Sequence, residues 1–229
     1  ETGNKDYLDS VMAFYEAVRD QEIFVTGVGG LKDQWGEFWD TGKIKQTHSD
    51  AGSLGETCVT TTWLKFCSQA LRLSGDAKIV DEMERTLYNG VLGAMTPDGS
   101  WWMHTNPTPL AGASSKVKAG DQIEGFGEDC CLAQGPKALS LAPWLAAMRC
   151  EDGLAINLYE AASASFSLED GTACALEISG DFPRSPEVEL RVKPAKAARF
   201  KLRLRIPSWS RNTEVLVGKE RFTAAHGRY

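Results

Sequence analysis

The sequence holds no long apolar run: nowhere do its 229 residues approach the ~20 consecutive apolar positions of a membrane-spanning helix. Positive charge is not in excess. The formal net charge is −6, which argues against a non-specific nucleic-acid binder and leaves no polybasic segment for a membrane surface. No leader pattern is expected from the opening residues, Glu1-Thr2-Gly3-Asn4-Lys5, which run into an amphipathic stretch. Nor is this a disulfide scaffold. Six cysteines in a chain this long read as mostly reduced thiols, and reduced thiols favour the cytoplasm. What is present is an ordinary globular composition, 42% apolar and 24% charged, long enough for one large domain or two small ones.

The first half reads as helical. Leu8, Val11, Met12, Tyr15 and Val18 place an apolar stripe on a helix over 6–20. Residues 21–55 are broken by seven glycines, Gly27 to Gly55, with Trp35, Phe38 and Trp39 among them. A loop of that length in a compact domain is usually functional or disordered; its aromatics favour an ordered binding face. A second helix is predicted over 57–73, with Val59, Trp63, Phe66, Ala70 and Leu73 inward. Ser74-Gly75 ends it, and Asp76 caps a third helix carrying Ile79, Met83, Leu87 and Val91 as far as Gly93. Pro97-Asp98-Gly99 is a turn, and Trp101 to His104 a short strand. Core packing is the expected role of Trp101 and Trp102, with sugar stacking the alternative. Pro136 fits the first position of a last helix with Leu139, Leu141, Leu145 and Met148 inward, kinked or broken at Pro143.

Near Arg149 the period changes from helical to alternating. Strands are predicted from about 153: Leu154 to Leu158, Phe166 to Leu168, Ala173 to Ile178, Val188 to Val192 and Phe200 to Ile206. In the last, Lys201, Arg203 and Arg205 are expected to face solvent. Val217-Gly218-Lys219 reads as a hairpin. The expected fold is mainly α over 1–148, then an incomplete antiparallel β-sandwich over 149–229. Both ends read as cut from a larger enzyme, which leaves periplasmic or secreted placement open.

The chemically pointed residues are cysteines. Cys130 and Cys131 are adjacent, follow Glu128-Asp129 and precede Gly135-Pro136. Neighbouring thiols point different ways on a helix or strand, so a loop is expected to present them. Upstream, Glu56-Thr57-Cys58 offers a third thiol and a carboxylate. Three sulfurs and one carboxylate suit tetrahedral Zn²⁺. The spacing is not that of a zinc finger, however, and on spacing alone buried inert thiols are the first reading. A vicinal disulfide is a third.

Taken in order, several segments resemble the zinc-thiolate β-L-arabinofuranosidases of glycoside hydrolase family 127. They are Thr26-Gly27-Val28-Gly29-Gly30, Gly36-Glu37-Phe38, Glu56-Thr57-Cys58, Glu84-Arg85-Thr86-Leu87-Tyr88-Asn89, Asn106-Pro107, Cys130-Cys131 with Gly135-Pro136, and Leu204-Arg205-Ile206-Pro207-Ser208-Trp209. The resemblance implies the second half of an (α/α)6 barrel followed by part of a β-sandwich. It implies a retaining hydrolase releasing L-arabinofuranose or a related sugar from plant-type glycans. Zinc would be held by Glu56, Cys58, Cys130 and Cys131. Cys130 would be the nucleophile, Glu37 the general acid/base, and Glu84 a sugar contact. For Glu84 the alternative is a helix-surface acid paired with Arg85 or Lys78.

This chain departs from the family in places. The family usually has a tyrosine two residues before Asn-Pro; His104 stands here and is taken with Glu84 as substrate-binding. Asp33-Gln34-Trp35 replaces a histidine-bearing segment, and Glu128 stands where a further cysteine often sits. A second function class is a zinc-stabilised carbohydrate-binding module, or an inactive fragment, without catalysis. No nucleic-acid partner and no membrane are expected.

Overall fold

Asn4 starts the first helix. Its side-chain carbonyl accepts from the Asp6 N–H at 2.9 Å, capping α1 (Lys5–Gln21). The structure is a computed structural model and describes residues 2–30, 38–39, 54–107 and 130–229. Tyr15 and Val18 of the expected stripe are buried, while Leu8, Val11 and Met12 are half-buried. Of the glycine-rich stretch, Ile23 pairs across a bridge with Gly29, and Phe24 and Val28 are core residues.

A short strand β1 (Leu54–Glu56) leads directly into α2 (Thr57–Ser74), which ends on Gly75 at φ 66°, the left-handed cap. Trp63, Leu64, Cys67, Ala70 and Leu71 are buried along α2. Leu73, expected inward, is 52% exposed; Leu71 takes the core position one helical step earlier. Tyr15 of α1 stacks on Trp63 with centroids 5.3 Å apart, and Phe14 meets Phe66 edge-on at 5.5 Å.

The third helix is capped by the Asp76 carboxylate, which accepts from the Lys78 N–H at 2.9 Å. It runs as α3 (Ala77–Arg85), a π-helical segment (Thr86–Val91) and α4 (Leu92–Ala94). Ile79, Met83, Leu87 and Val91 are all buried. Four-residue steps overshoot an α-helical turn by about 40° each. The wider π turns take up that drift and keep all four on one side.

After the turn around Gly99, Met95 bridges to Trp102 and β2 (Thr105–Pro107) pairs antiparallel with β1, Glu56 opposite Thr105. The strand is therefore later than the predicted Trp101–His104. The last helix, α5 (Cys130–Ala146), begins well before Pro136, so that proline lies inside the helix rather than at its start, and the helix continues through Pro143. Its buried positions are Cys131, Gly135, Ala138, Leu145 and Ala146. They are mostly small residues, whereas Leu139 is 38% exposed and Met148 lies in the following strand.

Residues 1–75 and 82–140 form one compact unit, and 76–81 with 141–229 a second. The second has a three-stranded sheet of β3 (Ala147–Cys150), β4 (Gly153–Ile156) and, by chain order last, β8 (Lys201–Leu204). Another holds β5 (Ala162–Ser167), β6 (Ala173–Gly180) and β7 (Val188–Pro194). β4 and β8 run parallel, a departure from the wholly antiparallel expectation. Leu154 and Ile156 of the first sheet share one core cluster with Leu176 and Ile178 of the second. A hairpin of β9 (Glu214–Val217) and β10 (Glu220–Thr223) turns at Gly218-Lys219, as expected.

The β8 region corrects the predicted alternation. Leu202 is exposed, and Arg205 just past the strand is fully buried. Burial of a guanidinium is tolerable only with a paired charge. Arg205 Nη1 donates to Asp81 Oδ1 at 2.8 Å, and Ser208 Oγ donates to Asp81 Oδ2 at 2.5 Å. The Leu204–Trp209 segment thus clasps one acid of α3.

Candidate metal centre

Two helix starts meet here. Glu56 ends β1 and caps α2: its Oε2 accepts from the Val59 N–H at 2.5 Å. Its other oxygen, Oε1, accepts from the Cys131 thiol at 2.8 Å. The carboxylate is fully buried, and its own N–H is satisfied by Gly29 O at 2.8 Å. Thr57, next in the chain, binds the neighbouring segment twice: its N–H donates to His104 O at 3.0 Å and its hydroxyl to Met103 O at 2.6 Å. Thr61 Oγ1 donates to Gln134 O at 3.1 Å and ties α2 to α5. The frame around the acid is therefore hydrogen-bonded on every described side.

Gly27 explains the Thr26–Gly30 segment. Its φ is +80°, and an added Cβ would lie 2.8 Å from the Thr86 backbone. Thr86 Oγ1 in turn donates to Gly27 O at 3.1 Å. A side chain cannot fit there, and the left-handed φ disfavours one. This close approach lets the loop carry Gly29 to both Glu56 and Thr60, whose hydroxyl accepts from the Gly29 N–H at 3.2 Å.

The four expected donors converge. Ligand atoms of Glu56, Cys58, Cys130 and Cys131 all lie within 4.8 Å of one another. Cys58 Sγ is 3.2 Å from Cys130 Sγ and 3.5 Å from Cys131 Sγ. Those separations exceed the ~2.05 Å of a disulfide, and all three cysteines are free thiols. Two thiolates on one tetrahedral zinc would stand about 3.8 Å apart, given Zn–S bonds of about 2.3 Å. To accept such an ion the two Cys58 sulfur pairs would open by about 0.3–0.6 Å and the widest donor pair, at up to 4.8 Å, would close. Three soft sulfurs and one carboxylate are a donor set suited to zinc. Among the described residues it is the one group with converging ligands for a metal.

The pair is presented by the first turn of α5, not by a loop. Successive residues on a helix are about 100° apart. That angle puts Cys131 inward, fully buried, and leaves Cys130 exposed, with both sulfurs still in reach of Cys58 from the side. The donors come from the first turns of α2 and α5, where the helix dipole favours negative charge. Without a cation, the hydrogen bond to Cys58, burial and the Glu56 charge hold the Cys131 thiol far above its ordinary range. Ligation must therefore release protons.

The other predicted positions fall variously. Glu37 lies outside the described residues. Glu84 is buried at 6% exposure, so it does not lie on the helix surface, and Arg85 pairs with Glu82. Glu84 is not among the converging donors. His104 is also buried, with Nδ1 3.7 Å from Cys131 Sγ. Trp102 is core, packed against Gly135; Trp101 is 43% exposed and lines an open cavity of about 610 Å³ with Leu132 and Leu139. Cys67 is a buried core thiol, and burial holds its pKa well above the usual value. Sequence reasoning gave Thr57 and Gly135 no separate role; a small residue four positions after Cys131, on the same helix face, was the available signal for Gly135.

A helical unit with a thiol–carboxylate cluster, followed by small β-sheets, defines a two-part chain with a metal-type site in the first part. The family model for the beta-L-arabinofuranosidase GH127 catalytic domain matches residues 1–142, and that for the GH127 middle domain matches 153–229. The chain belongs to the GH127 beta-L-arabinofuranosidase family, whose matched members are glycoside hydrolases. A non-reducing end beta-L-arabinofuranosidase of Bifidobacterium longum subsp. longum is 24% identical over 223 residues, 93% of this chain and 33% of that protein. A GH127 beta-L-arabinofuranosidase crystal structure from Geobacillus stearothermophilus T6 superposes with a TM-score of 0.81 at 27% identity, covering 96% of this chain and 35% of that one. A further GH127 beta-arabinofuranosidase structure gives 0.72 at 25%, covering 91% and 31%. The chain spans about a third of the length of these relatives.

Proposed function

We propose that this chain is part of a retaining glycoside hydrolase that releases L-arabinofuranose or a related sugar, with Cys130 as nucleophile. In this reading residues 1–148 are the second half of an (α/α)6 barrel and 149–229 part of a β-sandwich. The observation that carries it is the convergence of Glu56, Cys58, Cys130 and Cys131 within 4.8 Å. Those four would hold zinc, which when bound supplies the positive charge that keeps sulfur deprotonated at neutral pH.

The pair divides the labour by exposure. Cys131 and Glu56 are buried and anchored to each other, which suits holding. Cys130 is exposed, which suits meeting a sugar. Its sulfur would attack the anomeric carbon as the glycosidic C–O bond breaks, while Glu37 protonates the leaving oxygen. Glu37 would then take a proton from water, whose oxygen attacks the same carbon and breaks the C–S bond. Two inversions retain configuration, and a nucleophile and acid/base roughly 5–5.5 Å apart are expected for that outcome. Glu84 and His104 would contact the sugar.

The four-donor count favours a second reading, since closed sites are normally structural. Covalent capture separates the two. The full-length enzyme is incubated with a cyclophellitol-type arabinofuranose electrophile and the adduct mapped by mass spectrometry. Labelling at Cys130, lost in Cys130→Ser, is expected. Labelling at Cys131, or undiminished labelling in Cys130→Ser, shows the nucleophile to be wrong; metal retention with no label supports the structural reading.

A further inference from the structure

His104 stands outside the four-donor group, yet its ring lies against it. Nδ1 is 3.7 Å from Cys131 Sγ. A thiolate at about 2.3 Å and an imidazole at about 2.05 Å on one tetrahedral zinc stand about 3.6 Å apart. The observed spacing is compatible with two ligands on a common ion, as well as with a hydrogen bond between ring and thiol. The residue is also buried, and its main chain is tied to α2. It is 4% exposed, and its main-chain oxygen accepts from the Thr57 N–H at 3.0 Å. Thr57 sits between Glu56 and Cys58, so the same helix start that supplies two donors also locates the imidazole. Cys130 is the exposed member of the sulfur set.

We propose that His104 is a reserve metal ligand: with Cys130 Sγ off the metal, His104 Nδ1 completes a four-donor set with Glu56, Cys58 and Cys131. The ring donates as neutral imidazole, lone pair on Nδ1 and proton on Nε2. One sulfur–metal bond gives way to one nitrogen–metal bond, with no change of oxidation state. Imidazole is among zinc's usual donors, and the phenol of a tyrosine at this position is not. The property therefore belongs to this chain's own residue. Its consequence is that the ion stays held while Cys130 is occupied elsewhere. The inference rests on the metal reading of the cluster.

Cobalt(II) tests it, because its visible spectrum reports sulfur ligation and coordination number. The full-length protein, Cys130→Ser, His104→Phe and the double variant are loaded with cobalt and titrated with a competing chelator. His104→Phe alone is expected to change affinity by less than about threefold, but to weaken Cys130→Ser by about tenfold or more and abolish its tetrahedral band. An equal effect of His104→Phe in both backgrounds, or a tetrahedral Cys130→Ser spectrum indifferent to it, overturns the proposal. Should the double variant not fold, ¹⁵N-histidine NMR of zinc-loaded Cys130→Ser reads the same point: a metal-bound Nδ1 is expected, and a free imidazole overturns it. Failure of the unsubstituted protein to take up cobalt overturns the metal reading and this inference together.

Discussion

Gly135→Ala should loosen the metal site from the far side of its helix. An ideal Cβ at Gly135 would lie 2.2 Å from Trp102 Cε3, 2.3 Å from Cδ2 and 2.7 Å from Cγ. Carbon atoms pack at about 3.5–4.0 Å, so ring and helix must separate by roughly 1.3 Å. Trp102 is buried and leads directly to Met103 and His104, which Thr57 holds. The ring has little freedom to yield, and α5 must move. Cys131 lies one turn before Gly135 on the same face, so it would be carried away from Glu56 and Cys58. A metal site tolerates only about ±0.2 Å in its ligand distances, so affinity should fall tenfold or more.

Stability has two opposing contributions in that variant. Replacing a helical glycine by alanine gains about 1 kcal/mol, whereas overpacking a core costs about 1–3 kcal/mol. The net expectation is a loss of about 0–2 kcal/mol in the metal-free protein. Urea unfolding with chelator present measures that term, and competition with a chromogenic chelator measures affinity. Trp102→Leu in the same chain should recover part of the metal affinity by making room. A Gly135→Ala protein that binds metal as tightly as the original, or is stabilised by about 1 kcal/mol like an open helix glycine, refutes the idea that this contact sets the cysteine pair.

Two further expectations concern the second unit. Arg205→Met leaves Asp81 without its buried counter-charge and should cost about 3–5 kcal/mol; pairing it with Asp81→Asn should restore part of that in a double-mutant cycle, and simple additivity would show the pair to be uncoupled. Asp152 accepts from Arg203 at 2.5 Å and from Lys201 at 2.8 Å, and those bonds hold its carboxyl below the ordinary 3.8. A carboxylate with a lowered folded pKa stabilises above the unfolded value and loses that effect as pH falls through the folded one. The stability gap between the protein and Asp152→Asn should therefore be constant from pH 7 to about 5 and shrink below 3.8; urea midpoints showing the same gap at about pH 2.5 would contradict it.

Much of the helical half was legible because its signals are local. The Ile79–Met83–Leu87–Val91 spacing, the Asp76 cap and the Gly75 stop each depend on residues within a turn or two, and each appears as read. Register along α5 was not legible. The reading looked for large apolar residues and was right at Leu145 but not at Leu139, whereas the helix also buries Cys131, Gly135 and Ala138, Gly135 because Trp102 needs the space it leaves. Arg205 failed in the same way. Alternation predicts a solvent-facing arginine, and only the tertiary arrival of Asp81, 124 positions earlier, makes its burial tolerable.

The cysteine pair shows how a converging set of four donors can be anticipated through a wrong local picture. Adjacent thiols were assigned to a loop so that both could face one ion. The helix solves the problem differently. Cys58, on the first turn of another helix, approaches from the side and meets both sulfurs, at 3.2 and 3.5 Å, while the 100° between neighbours buries one and exposes the other. A loop could have made the two cysteines equivalent. Placement on a helix makes them unequal, and that inequality separates a buried thiol hydrogen-bonded to Glu56 from an exposed one. No spacing rule contains this, since it depends on which face of α5 lies against Trp102. A residue with no side chain, Gly135, therefore bears on where the donors sit.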